Sequence, residues 1–102
     1  MVAIAVTPTS PAAVKDACRV DVSGNDVNTG ASNPSNYPVQ AELRCYLSFV
    51  KGGVEYGRSP VFSGASYSFP TYIFPSAGSW VVHLKKASDD TDIATQAVTV
   101  TA

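Results

Sequence analysis

Charge is scarce in this chain of 102 residues. Only 15% of them are Asp, Glu, Lys or Arg, and seven basic against eight acidic side chains leave a net charge of −1. Electrostatic binding of nucleic acid needs a basic stripe that displaces counterions from phosphates, so this composition excludes that class. No apolar run approaches the ~18 residues of a membrane span, so no membrane partner is expected. The chain holds one histidine and two cysteines. Neither Cys18 nor Cys45 lies in a Cys-x-x-Cys motif, and one outward-facing histidine cannot complete a three-ligand zinc site with cysteines expected to point into the core. No internal repeat of 20–50 residues is present. Neither a metal nor a cofactor is expected.

Hydrophobic residues, at 45% of the chain, are plentiful enough to fill a core. A chain of 10.6 kDa fits one domain spanning 1–102. Met1-Val2-Ala3-Ile4-Ala5-Val6 has neither the basic start nor the apolar length of an export signal and reads as a first strand. The expectation that follows is assembly in a cytoplasm, where Cys18 and Cys45 act as small buried hydrophobes. A disulfide between them is the alternative.

Apolar residues alternate with polar ones along most of the chain. Cys18, Val20 and Val22 fall on one face, with Val14 extending the row. Ala41, Leu43, Cys45, Leu47 and Phe49 form a second inward row, with Glu42, Arg44, Tyr46 and Ser48 facing the other way. Trp80, Val82 and Leu84 form a third, opposite Val81, His83 and Lys85; Val98 and Val100 close the last strand. A helix would scatter these residues around its circumference, so a period of two decides for strands. Residues 54–63 contain Gly57 and Pro60, and residues 66–74 contain Pro70. Both segments therefore read as edge or broken strands. Turns are expected at Lys51-Gly52-Gly53, at 75–78 and at 88–92. The lone helix candidate, 10–16, is under two turns long. About seven antiparallel strands separated by such turns predict an all-β sandwich.

Three carboxyl-terminal runs carry a resemblance: Ser68-Phe69-Pro70, Ala77-Gly78-Ser79-Trp80-Val81-Val82-His83-Leu84, and Ala97-Val98-Thr99-Val100-Thr101. Together they resemble the closing strands of an immunoglobulin-like domain of the bacterial and phage kind. Two departures stand out. Trp80 occupies the place of a usual tyrosine, and Cys45 lies on the third strand, so no antibody-type bridge is implied. The resemblance implies an immunoglobulin-like β-sandwich of about seven antiparallel strands.

Chemistry is hard to place on these residues. His83 has no evident orienting acid or nucleophile in sequence, and reads as a surface histidine. Asp89, Asp90 and Asp92 do not follow the EF-hand spacing and read as a solvated hairpin, with calcium binding as the alternative. Glu42 and Glu55 show no paired-carboxylate arrangement. No catalytic residue is expected, and the chain is read as non-enzymatic.

Two surfaces are candidates for partner contact. The polar loop from Gly24 to Pro38 offers Asn25, Asn28, Asn33 and Tyr37. The aromatic segment 66–74 offers Tyr67, Tyr72 and Phe74 if part of it faces outward. The resemblance to an immunoglobulin-like domain, read as free-standing and taken with the expected lack of an export signal and of a catalytic constellation, leads to the expectation of a phage virion structural protein. The most specific expectation is a capsid decoration protein that binds the lattice of the major capsid protein and sits on the virion surface. A trimer or other closed homo-oligomer is a plausible form of it. The competing expectation is a carbohydrate-binding or adhesion module from a larger secreted protein, in which exposed aromatic rings stack on sugars.

Overall fold

Two antiparallel sheets form the fold, seen in a computed structural model that describes residues 3–23, 44–62, 67–87 and 90–102. The strands are β1 (Ala3–Thr7), β2 (Cys18–Ser23), β3 (Cys45–Lys51), β4 (Val54–Arg58), β5 (Tyr67–Tyr72), β6 (Gly78–Lys86) and β7 (Asp92–Val100). One sheet has the order β1-β2-β5 and the other β4-β3-β6-β7. Their inner faces meet in a single apolar cluster, which makes the fold a β-sandwich.

The alternation of the sequence is what builds that cluster. Cys18, Val20 and Val22 face Cys45, Leu47 and Phe49 and the row Trp80, Val82 and Leu84, all of them essentially inaccessible to water. Cys18 and Cys45 are buried thiols with no disulfide between them. Val14 departs from the expected row. It lies in a turn before β2, is 68% exposed and has φ of +52°. The short segment around it is that turn and not a helix, held by the Ala12 N–H donating to the Asp16 carboxylate at 2.8 Å.

Glycine and proline set the boundaries. Gly52 and Gly53 both have positive φ in the β3–β4 hairpin, where a side chain would be strained. β4 ends before Ser59, whose buried hydroxyl accepts from the Leu47 N–H at 2.8 Å in place of a ladder carbonyl. Pro70 sits within β5, an edge strand whose pairing with β2 shifts register between Cys18 and Val20. This agrees with its reading as an edge or bulged strand.

The corner before β6 is fixed by side chains. Gly78 has φ of +135°, a conformation that L-residues avoid. Lys51 reaches across from β3 and donates to the Ser76 hydroxyl at 2.9 Å and the Ala77 carbonyl at 2.7 Å. The Trp80 indole N–H donates to the Ser76 carbonyl at 2.9 Å, so the largest core side chain is buried with its polar atom paired.

Candidate functional site

The aromatic segment does not present a platform. Phe74 is completely buried, its ring edge-on to Trp80 at 5.1 Å and to Tyr72 at 4.9 Å. The expectation that it faces a partner is therefore corrected: its side chain is core, because just past β5 the backbone is tied to Val14 and the ring turns against Trp80 and Phe49. Tyr67 and Tyr72 are half-buried, stacked on Phe62 at 4.0 Å and on Phe49 at 3.8 Å. Both rings lean inward over the core from the edge strand. Asn25, Asn28, Asn33 and Tyr37 lie outside the described residues. Tyr56 is the large aromatic side chain most exposed among the described residues, at 53%, and it leans on Trp80.

A different surface is built on the outer face of the four-stranded sheet. Register decides its membership. Tyr46 on β3 lies opposite Lys85 on β6, and Ser48 lies opposite His83. Asp92 on β7 is the cross-strand partner of Lys85. Glu55 and Arg58 approach from β4 and Asp90 from the β6–β7 turn, enclosing a groove of about 460 Å³. Tyr46 and Ser48 point away from the core yet are only 3% and 1% exposed, because these longer polar side chains cover them.

The covering groups hold one another in place. The Tyr46 hydroxyl donates to Asp90 at 2.6 Å, and the Arg58 guanidinium lies over the Tyr46 ring at 4.5 Å. Arg58 also pairs with Glu55 at 2.9 Å. Ser48 donates its hydroxyl proton to the other Glu55 oxygen. Asp92 receives both His83 Nδ1 at 3.1 Å and Lys85 Nζ at 3.3 Å.

These bonds tune the ionisable groups. The Ser48 hydroxyl, aided by Arg58 and opposed by partial burial, draws Glu55 below the usual carboxylate range. Burial pushes Asp92 up, but Lys85 and His83 together bring it below its ordinary value. Burial first, and the Asp90 carboxylate second, raise the Tyr46 phenol to about 12. At neutral pH the groove therefore presents the Glu55 and Asp92 carboxylates beside the Arg58 guanidinium.

Sequence reading placed His83 outward without an orienting acid; the structure supplies Asp92. Ser48, His83 and Asp92 form a row across β3, β6 and β7, the residue types of a nucleophilic triad. The serine, however, is covered and its proton goes to Glu55. The backbone around it is engaged in ladders with β4 and β6, the opposite of the free N–H donors an oxyanion hole requires. What the row does is orient: it fixes the positions of charges across the sheet. Asp90 and Asp92 turn to Tyr46, His83 and Lys85. Among the described residues no group of three or more His, Cys, Asp or Glu is placed to hold a metal ion.

No family model matches the chain, and neither a curated protein nor a solved structure matches it.

Proposed function

We propose that this chain is an immunoglobulin-like domain that acts by binding, as a virion surface protein attached to the outside of an assembled phage head. The strand order supports the fold part of this reading. β1-β2-β5 against β4-β3-β6-β7 is a Greek-key arrangement in which β2, β3 and β6 take central places, as B, C and F do in immunoglobulin-like sandwiches. The Trp80 indole bond to Ser76, four residues upstream, does the work of the hydroxyl bond in a tyrosine corner.

The observation that carries the binding part is the outer face of the four-stranded sheet. Its donors and acceptors are already held in place by one another, so a polar partner surface meets few side chains that must be ordered on association. Such a protein stabilises the head by mass action, adding about 2.7 kcal/mol per site when free protein is at 100 times its Kd. Co-sedimentation with purified heads of the phage that encodes it tests this. Binding is expected at physiological salt, weakened in Arg58→Ala and in Lys85→Ala. Protein that stays in the supernatant at every concentration would refute the proposal.

A further inference from the structure

Each sandwich edge carries a row of N–H and C=O groups that lack a ladder partner, and proteins protect such edges. Among the described residues β1 and β5 bound one sheet, and β4 and β7 the other. Three of these edges carry recognisable protection. β1 is five residues long and runs into Pro8. β4 is equally short, carries Glu55 and Arg58, and breaks register between Phe49 and Val50 of its partner. β5 contains Pro70 and is out of register with β2.

β7 has none of these devices along most of its length. It is nine residues long, and from Ile93 to Ala102 the chain has neither charge nor proline. Its register with β6 is unbroken from Gly78 opposite Val100 to Leu84 opposite Ala94. Among the described residues, hydrogen-bonded cover is confined to its far end. There Ala13 donates to the Thr101 carbonyl at 2.7 Å and Thr101 to the Pro11 carbonyl at 2.9 Å. Beside the open stretch, β7 and β1 face each other across a groove of about 250 Å³ lined by Ile4, Val6, Gln96 and Val98. The exposed Ala97 carbonyl accepts from the side-chain amide of Gln96 at 3.0 Å, an acceptor that the N–H of an added strand can take over.

We propose that residues 94–99 of β7 pair antiparallel with the same residues of a second copy, joining two four-stranded sheets into one of eight strands. The occupant follows from the edge itself. An edge without charge has nothing with which to select an oppositely charged partner, and against its own copy it brings no like charges together. Thr95, Val98 and Thr99 are good strand formers on a half-buried pleated surface. Alternate side chains of the incoming strand enter the groove beside β1. Antiparallel pairing of identical edges is isologous, so it closes at two. This dimer stands independently of any binding to a head.

Sedimentation equilibrium from about 10 μM to about 1 mM is the test, since one strand pair buries less than a standard interface and associates weakly. The mass is expected to rise from that of the 10.6 kDa monomer toward twice that value. Thr95→Lys and Ala97→Lys, at exposed positions of the edge, are expected to weaken association about ten-fold or more. Both should retain the near-ultraviolet circular dichroism of the parent. Val54→Lys, on the β4 edge, should associate like the parent. In the parent dimer, alternate amides within 94–99 should gain hydrogen-exchange protection as concentration rises. A mass that stays monomeric throughout, a plateau at three copies, or association that survives both β7 lysines overturns the proposal.

Discussion

Replacing Phe74 by alanine measures how far the core extends beyond the regular strands. The ring is fully buried and makes edge contacts with Trp80, Tyr72 and Phe49. Truncating such a side chain costs about 3–5 kcal/mol, from lost transfer free energy and the cavity left behind. A domain of this size has roughly 5–15 kcal/mol of stability in all, so the variant should lose about a fifth of it or more. With a urea dependence of about 2 kcal/mol/M, a loss of about 4 kcal/mol lowers the midpoint by about 2 M. Trp80 fluorescence follows the transition, because the indole is buried against the deleted ring. Ile73→Ala is the control: its neighbouring side chain is 49% exposed, and about 1 kcal/mol or less is expected. A Phe74→Ala midpoint within about 0.3 M of the parent would show that the ring lies outside the core.

Three further outcomes follow from backbone geometry and from buried acids. Val14 is exposed with φ of +52°, where a β-branched residue is strained by roughly 1–2 kcal/mol, so Val14→Asn should raise the Tm by about 4–8 °C. An unchanged or lower Tm in differential scanning calorimetry contradicts the strain. Gly78→Ala should destabilise by about 1–3 kcal/mol, because φ of +135° is costly for alanine and the new methyl would meet Lys51 Cε at 2.9 Å; a parental urea midpoint would remove both arguments. Burial raises the thiols of Cys18 and Cys45 and the phenols of Tyr46 and Tyr72 above their ordinary values. Their contribution is therefore complete below the unfolded-state values and is lost as pH rises, first past about 9 for the thiols and then past about 10 for the phenols. Urea midpoints at pH 7.5 and above pH 9.5 should show this decline, and a flat profile would refute it.

The inward rows of the sandwich were legible because burial on one face of a strand imposes a period of two, and Cys18–Val22, Cys45–Phe49 and Trp80–Leu84 keep it without interruption. Pro70 likewise marked an edge, since a residue without an N–H has no place in a central ladder. Val14 was misread because period alone extends a row past its last hydrogen bond, and only the Ala12–Asp16 turn ends it. Phe74 was misread for a related reason. Pro70 signalled a break in β5, but not where the chain went next, and a ring two residues past the strand can still be drawn over the core. The outer-face groove lay further out of reach. Tyr46 and Ser48 occupy polar positions in the pattern and so read as wet, whereas their burial depends on Glu55, Arg58 and Asp90 arriving from other segments. The meeting of Ser48 with His83 is a matter of register between strands 35 positions apart in sequence, and no local spacing encodes it.

The outer face and the β7 edge are linked through geometry. Asp92, which orients His83 and Lys85 in the groove, belongs to the same strand whose residues 94–99 form the open edge. Antiparallel pairing of two β7 strands about an axis normal to the sheet keeps both outer faces on one side. Two polar grooves would then lie on a single eight-stranded surface and meet a repeating lattice together. The second attachment becomes intramolecular, and linked sites can exceed the affinity of either one by roughly 10²-fold or more when the lattice spacing matches. Gln96→Lys puts a charge on the edge while its side chain stays on the β1 side of the sheet, opposite Val82 and away from the polar face. In head co-sedimentation it should therefore bind more weakly than the parent above the dimer's dissociation constant. At high dilution, where both are monomers, the two should bind equally. Equal binding at all concentrations would mean that edge pairing and head attachment do not cooperate.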